Sequence, residues 1–170
     1  MQLKKLPVVF LIGPTASGKT DWAIEWQKKF GRIEIISVDS VMIYRGCDIG
    51  SAKPTADILK KHPHHFINFI TLDSIFSVAD FCKEALQCIE SIHQRNNIPI
   101  LVGGSMMYFN LLKNGISSLP SADSNFRERL ISRIKTDGID SLYNELFTLD
   151  PIVASKIMPQ DTQRIVRALE

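Results

Sequence analysis

The chain has 170 residues, of which 45% are hydrophobic and 22% are charged. This composition excludes a disordered chain. The length suffices for one domain, or for one domain and part of another. The net charge of +2 is too small to identify a nucleic-acid binder and does not exclude one. The first apolar run, Val8 to Ile12, is too short for a signal peptide or a membrane span, so the cytoplasm is the expected location.

Short apolar runs alternate with helical patterns through the first two thirds of the chain. A helix is expected to begin at Ser77, because Asp80 follows three residues later as in a capping box and apolar residues then recur at helical spacing. Apolar strands that alternate with helices predict an α/β fold with a parallel sheet flanked by helices. The predicted strands are 8–12, 33–38, 65–70 and 98–102, and the first predicted helix is 19–30.

Strand-like runs end near Ser117, and only helical patterns follow. We therefore predict a catalytic core at 1–116 and a helical insertion subdomain at 117–170. The predicted helices of the subdomain are 125–136, 140–149 and one from Gln160 onward. The last pattern reaches Glu170 without a Gly or Pro stop signal, which predicts a subdomain that is cut before its end.

The strongest motif is a glycine-rich phosphate loop of the form GxxxxGK[ST] between the first strand and the first helix. Its glycines let backbone N–H groups turn toward phosphate oxygens at the positive end of a helix. In such loops the lysine contacts the outer phosphates and the following hydroxyl ligates Mg²⁺. The predicted diphosphate- or nucleotide-binding residues are Gly13, Pro14, Thr15, Ala16, Ser17, Gly18, Lys19 and Thr20, with Thr20 as the metal ligand.

The residues that follow two other predicted strands are also candidates for the site. The 33–38 strand is followed by Asp39, which is expected at the carboxyl edge of the sheet, where ligands of such folds bind. Asp39 could be a general base, organise magnesium or cap a turn. The 98–102 strand runs into Gly103 and Gly104 rather than the carboxylate that nucleotide-hydrolysing proteins place there. Ser105 could contact a phosphate or cap the next helix.

Other reactive side chains form no recognisable site. His62, His64 and His65 lack cysteine or carboxylate partners at metal-ligand spacing, so a structural or surface role is expected. The three cysteines have no CxxC spacing, which argues against zinc and against a disulfide framework. Trp22 and Trp26 are expected to pack on the first helix.

The chain resembles the tRNA dimethylallyltransferases, also called tRNA isopentenyl transferases. The resemblance begins with GPTASGKT at 13–20 and continues with ISVDS at 36–40 and IYRGCDIGSAKP at 43–54. It then follows the family order through 63–65, 77–81, 98–108, 119–120 and 163–170. The sequence departs from the family pattern at Ser105, where Thr is usual, and at Asn68, where Asp is common.

This resemblance implies transfer of a dimethylallyl group from dimethylallyl diphosphate to N6 of adenine 37 in the tRNA anticodon loop. Mg²⁺ is the implied cofactor, and the implied protein is a monomer that does not act at a membrane. Asp39 would accept the N6 proton, and Lys19 and Ser105 complete the implied catalytic set. The implied tRNA-binding residues are Asp39, Ser40, Val41, Met42, Ser105, Arg127, Gln163, Arg164, Ile165, Val166 and Arg167.

Three alternatives remain open at this stage. A phosphate-loop kinase would hold ATP in the loop and use arginines such as Arg127, Arg129 and Arg133 as a lid. A free-nucleotide prenyltransferase would accept AMP, ADP or ATP in place of tRNA. A non-catalytic RNA-binding fragment is disfavoured by the small net charge and by the lack of RNA-binding sequence signatures.

Overall fold

In the described part of the first unit, four short strands form one sheet. In the computed structural model, which describes residues 7–115 and 123–170, all strand pairs are parallel and the order is β1-β4-β2-β3. Parallel strands are covered on both faces, which explains the mainly apolar sequences of the three longer strands. The predicted α/β fold is confirmed. The strands are β1 (Val9–Ile12), β2 (Ile33–Val38), β3 (His64–His65) and β4 (Ile98–Gly103).

Helices cover both faces of this sheet. The predicted capping box is confirmed, because the Ser77 hydroxyl accepts from Asp80 N at 3.2 Å and the Asp80 carboxylate accepts from Ser77 N at 2.9 Å. Burial of an apolar helix face against the sheet supplies most of the stability of such elements. The helices are α1 (Lys19–Phe30), α2 (Ala56–Lys61), α3 (Val78–Gln94) and α4 (Met106–Asn114).

Alternate side chains of each strand enter different cores. Ile35 and Ile100 pack with the buried residues of α1, whereas Ile36 and Leu101 pack with those of α3 and α4. The period of two along a strand produces this division. The larger core includes Phe81, whose ring stacks on Tyr108 with centroids 4.6 Å apart.

The predicted strand at 65–70 is wrong beyond its first residue. Phe66 and Asn68 adopt positive φ angles of 64° and 53°, a left-handed conformation that cannot continue a strand. The segment instead forms backbone hydrogen bonds with the chain that follows Asp39, including an isolated β-bridge between Tyr44 and Ile70. The sequence analysis also missed α2, which is capped by the Thr55 side chain.

A charged network joins β3, the end of α3 and the start of β4 through one carboxylate. Glu34 on β2 accepts from Arg95 Nε and Nη2 at 2.9 and 2.7 Å and from Asn97 at 2.8 Å. Its second oxygen also lies 2.8 Å from His65 Nε2. The hydrogen bonds from Arg95, with those from Asn97 and His65, lower the pKa of Glu34 to about 2 from a usual value of 4.5.

Replacing Glu34 by Gln is expected to lower the free energy of unfolding by about 1–2 kcal/mol at pH 7, after allowance for the solvent exposure of Arg95. Because the folded pKa is the lower one, this stability is present above pH 5 and is lost as the pH falls toward 2. Urea unfolding of both proteins from pH 7 to pH 2.5 measures the difference, with Glu90→Gln on the exposed face of α3 as the control. A difference that does not change with pH would contradict the assignment.

The second unit, Ser117–Glu170, has its own apolar core. The three predicted helices are confirmed and a one-turn helix lies between the second and third of them. Leu130, Leu142, Leu146 and Ile165 are the most deeply buried of its large side chains. Within the described ranges, no helix combines the length and the apolar character needed to cross a membrane. The helices are α5 (Ser124–Asp137), α6 (Ile139–Leu149), α7 (Pro151–Ala154) and α8 (Thr162–Leu169).

Candidate active site

The strand register brings three predicted segments to one edge of the sheet. Gly103 at the end of β4 is level with Ile12 on one side and with Val38 on the other. The residues that follow are Gly13, Gly104 and Asp39, so the phosphate loop, the glycine pair and the carboxylate lie side by side. A hydrogen bond of 3.3 Å from Gly13 N to Gly103 O joins the phosphate loop to the glycine pair.

A cavity of about 340 Å³ lies at this edge. One side is the phosphate loop and the start of α1, and the opposite wall comes from the chain between Met42 and Ile67. Asp39 and the buried Ser37 also line the cavity, and several of the other lining side chains are apolar. The lining residues are Thr15, Ala16, Ser17, Gly18, Lys19, Thr20, Asp21, Ile24, Ser37, Asp39, Met42, Ala52, Pro54, Ile58, His64, Ile67, Val102, Gly103 and Gly104.

The phosphate loop has the backbone geometry that anion binding requires. Ala16 and Gly18 adopt positive φ angles of 62° and 76°, and α1 begins directly after Gly18 without a capping side chain. The first N–H groups of α1 are therefore left for an anion, at the positive end of the helix dipole. The Lys19 ammonium donates to Pro14 O and, at 3.1 Å, to Ser17 Oγ, so it lies over its own loop.

Asp39 combines a capping role with an available oxygen. Its Oδ1 accepts from Val41 N at 2.8 Å and from Met42 N at 3.0 Å, which fixes the carboxylate in an Asx turn. In the described part of the chain, Oδ2 has no hydrogen-bond partner. The capping role proposed from sequence is therefore observed, and the second oxygen is left to accept a proton or to face a cation.

The glycine pair allows the close approach of the segments. A Cβ added at Gly103 would lie 2.0 Å from Val38 O, and one at Gly104 would lie 3.2 Å from Gly13 O. Ser105 is the residue before α4, but its side chain makes no capping hydrogen bond and it does not line the cavity. Its predicted contact with substrate stays a prediction.

The three histidines have separate partners. His62 Nδ1 lies 2.7 Å from Gln27 Oε1, and His65 pairs with Glu34. His64 Nδ1 donates to His62 O at 2.6 Å, and its Nε2 is buried without a partner. Burial lowers the pKa of His64, which favours the neutral ring. Among the described residues, no cluster of three His, Cys, Asp or Glu side chains could hold a metal ion.

Sequence reasoning missed the buried lysine behind the cavity wall. Lys53 stands between the lining residues Ala52 and Pro54, and its side chain is only 3% exposed. A lysine in a polar stretch ordinarily predicts a solvated side chain, so the local pattern held no signal of this burial. His64 was expected to have a structural or surface role, and its position in the cavity lining was also missed.

The predicted RNA-binding residues of the second unit differ in exposure. The side chains of Ile165 and Val166 are 0% and 5% exposed in the core of this unit, and their contact with RNA stays a prediction. Helical periodicity places them on the inner face, while Gln163 and Arg164 are exposed. The Arg164 side chain is 70% exposed.

The remaining two arginines of the predicted set share one carboxylate. Arg127 donates to both oxygens of Glu170, at 2.6 and 2.8 Å, and Arg167 donates to one of them at 3.0 Å. The hydrogen bonds from Arg127 and Arg167 lower the pKa of Glu170. A phosphate bound at these guanidinium groups would compete with that carboxylate.

Comparison with known proteins places the chain in a family. The family model described as IPP transferase matches residues 42–170. The chain belongs to the IPP transferase family. It is 45% identical over 163 residues to the tRNA dimethylallyltransferase of Vesicomyosocius okutanii, covering 96% of this chain and 53% of that protein. It is 46% identical to the enzyme of the same name from Acinetobacter baumannii, covering 98% of this chain and 53% of the relative.

Solved structures of the IPP transferase family share the fold. The full-length tRNA isopentenylpyrophosphate transferase of Bacillus halodurans aligns with a TM-score of 0.63 and 38% identity, over 98% of this chain and 55% of that one. A eukaryotic dimethylallyltransferase acting on tRNA aligns with a TM-score of 0.79 and 29% identity, over 96% and 40%. The family resemblance seen in the sequence is confirmed. The chain spans about half the length of the curated relatives it matches.

Proposed function

We propose that the protein transfers a dimethylallyl group from dimethylallyl diphosphate to N6 of adenine 37 in tRNA. The observation that carries the proposal is the shared cavity of the phosphate loop and Asp39, at a sheet edge where β4 ends at Gly103 and Gly104 follows. The relatives named above are tRNA dimethylallyltransferases. A phosphate loop beside an acceptor carboxylate fits a reaction in which diphosphate is the leaving group.

The phosphate loop is proposed to hold the diphosphate. Backbone N–H groups at the start of α1 and the Lys19 ammonium would contact its oxygens and stabilise the negative charge that develops as it leaves. For this contact Lys19 would move from its bonds with Pro14 and Ser17 to the ligand. The apolar part of the cavity wall, which includes Met42, suits the five-carbon chain of the donor.

Mg²⁺ is the proposed cofactor, and the donor set of the cavity is compatible with it. The Thr20 hydroxyl and the Asp21 and Asp39 carboxylates line the cavity, and oxygen is the ligand that Mg²⁺ prefers. Thr20 would hold the ion together with diphosphate oxygens and water, since Mg²⁺ usually keeps several waters. The bound ion would supply charge neutralisation at the diphosphate.

Asp39 is proposed to be the general base. The N6 amine attacks the allylic carbon, the carbon–oxygen bond to the diphosphate breaks, and one N6 proton passes to the carboxylate. An adenine amine is a weak nucleophile, so a carboxylate that accepts its proton during attack promotes the reaction. Asp39 suits this role because Oδ1 is held by the Asx turn while Oδ2 has no hydrogen-bond partner within the described ranges.

The tRNA acceptor is proposed to contact both predicted groups of residues. Ser40 and Val41 are exposed beside Asp39, where they could contact an adenine that has left the anticodon-loop stack. Such unstacking costs about a few kcal/mol. Arg164, together with Ser105, Arg127, Gln163 and Arg167, is proposed to bind the RNA. Arginine side chains commonly contact the phosphate backbone, which positions a nucleic acid without reading its sequence.

The acceptor is tested by label transfer. The protein is incubated with radiolabelled dimethylallyl diphosphate, Mg²⁺ and either unmodified tRNA or AMP. We expect label in tRNA that depends on the presence of adenine 37, and none in AMP. Label found only in AMP would reject the tRNA assignment and support a free-nucleotide prenyltransferase.

A further inference from the structure

The buried Lys53 ammonium has three acceptors, one for each of its protons. It lies 2.8 Å from Tyr44 O, from Asp48 Oδ1 and from Asn68 Oδ1. Only 3% of the Lys53 side chain is exposed, against 65% for Asp48. A buried charge is tolerated when it is paired and fully hydrogen-bonded. The arrangement is therefore specific for an ammonium at this position.

These three acceptors come from two separate segments that the backbone also joins. Asn68 N donates to Met42 O at 3.1 Å, and Phe69 N donates to Ile43 O at 2.8 Å. Arg45 N donates to Ile70 O at 2.8 Å, next to the Tyr44 carbonyl that Lys53 binds. Lys53 therefore holds together segment 42–48 and segment 68–70.

The first of these segments also fixes Asp39. The amides of Val41 and Met42 donate to Asp39 Oδ1, and the carbonyl of Met42 accepts from Asn68 N. A shift of segment 42–48 would displace the Met42 amide, and with it the adjacent Val41 amide, and would turn the carboxylate. The contacts form a continuous path from the Lys53 ammonium through Asn68 and Met42 to Asp39.

The backbone around Lys53 needs such a restraint. Ala52 has a positive φ angle of 56°, which is unfavourable for a residue that carries a Cβ, whereas Asn68, with a φ of 53°, is of a type that visits this region more readily. Strained conformations of this kind persist only where surrounding contacts hold them. The Lys53 ammonium binds the Asn68 side chain directly, and Lys53 is the residue that follows Ala52 in the chain.

We propose that Lys53 is a positioning residue that holds the Asp39 carboxylate in place for proton acceptance. Lys53 itself does not line the cavity, so it acts through segment 42–48 rather than on the substrate. The catalytic part of this proposal rests on the proposed function, whereas the structural part does not.

The structural part is tested by amide hydrogen exchange on Lys53→Met, with Lys113→Met on α4 as the matched control. We expect exchange at Met42, Asn68 and Phe69 to become at least about tenfold faster in Lys53→Met, since a local restraint is lost. Exchange in β4, at Leu101 and Val102, should stay within about twofold of wild type. Unchanged exchange at Met42, or an equal increase in β4, would overturn the proposal.

A second variant distinguishes the loss of a local restraint from a general loss of folding. Asp48→Asn removes the charged partner but leaves Tyr44 O and Asn68 Oδ1 as acceptors. We expect a smaller increase in exchange at the same amides, about two- to fivefold, because partly restrained segments open less often. If exchange at Met42, Asn68 and Phe69 is unchanged in both Asp48→Asn and Lys53→Met, the contacts of Lys53 have no restraining role.

The catalytic part is tested by a double-mutant cycle that measures prenyl transfer by the wild type and the variants. Lys53→Met should lower kcat by about 10- to 100-fold, since small misplacements of catalytic groups have effects of this size. The Kd for inorganic diphosphate should change less than about threefold, because Lys53 does not line the cavity in which the diphosphate is proposed to bind. Without transfer by wild type the proposed function fails, and the exchange result still stands.

The decisive comparison uses the Asp39→Asn background. If Lys53 acts through Asp39, Lys53→Met should lower kcat less than about threefold further in that background, because residues that act as a unit are not additive. A general structural defect would lower kcat by the same factor in both backgrounds. Equal factors would overturn the positioning role.

Discussion

Replacing Asp39 by Asn is expected to lower the rate of prenyl transfer by about 10²- to 10⁴-fold, the usual contribution of a general base. The amide keeps an oxygen that can accept from Val41 N and Met42 N, so the Asx turn should persist. Binding of the donor should change little, because the phosphate loop is not altered. Single-turnover rates and donor affinity, measured on the same samples, separate the two effects.

The matched control for this prediction is Asp57→Asn, which removes an exposed carboxylate in the first turn of α2. Its transfer rate should equal that of wild type. A normal rate in Asp39→Asn would remove Asp39 from the role of base. A loss of donor binding equal to the loss of rate would instead indicate that Asp39 organises the diphosphate site.

The second large effect is expected for Gly103→Ala. The added Cβ would lie 2.0 Å from Val38 O and 2.7 Å from Val38 C, which are backbone atoms and cannot rotate away. β2 and β4 would have to separate at the positions that lead to Asp39 and Gly104. We expect a loss of about 3 kcal/mol or more in the free energy of unfolding, at the upper end of overpacking effects.

Gly104→Ala is the matched control for the effect on stability. Its added Cβ would meet only Gly13 O, at 3.2 Å, and a shift of a few tenths of an ångström relieves this contact. We expect a loss of about 1 kcal/mol or less for this variant, typical of a mild steric change. Urea unfolding of both variants checks the prediction, and a Gly103→Ala protein as stable as wild type would contradict it.

Local sequence signals predicted the centre of the site well. The GxxxxGK[ST] pattern has a fixed relation to a strand and a helix, so Gly13 to Thr20 could be placed from sequence alone. Asp39 and Gly103 follow apolar runs, and parallel strands end at a common edge. These two facts suffice to bring the carboxylate and the glycines to the phosphate loop.

The features that sequence did not predict depend on contacts distant in the chain. The burial of Lys53 arises from Tyr44 and Asn68, which no local pattern links to it. β3 is only two residues long because positive φ angles at Phe66 and Asn68 redirect the chain toward segment 42–48. The family resemblance assigned all of residues 163–167 to RNA contact. The helical period places two of these side chains, Ile165 and Val166, in the core of the second unit.

The phosphate loop is proposed to hold a prenyl diphosphate. Separate titrations of dimethylallyl diphosphate and of ATP, each with Mg²⁺, into the wild type and Lys19→Met test this assignment. We expect saturable binding of dimethylallyl diphosphate that inorganic diphosphate displaces and that is at least about tenfold weaker in Lys19→Met, since a charged hydrogen bond is lost. Much tighter binding of ATP, with no measurable binding of dimethylallyl diphosphate, would contradict the assignment and favour a kinase.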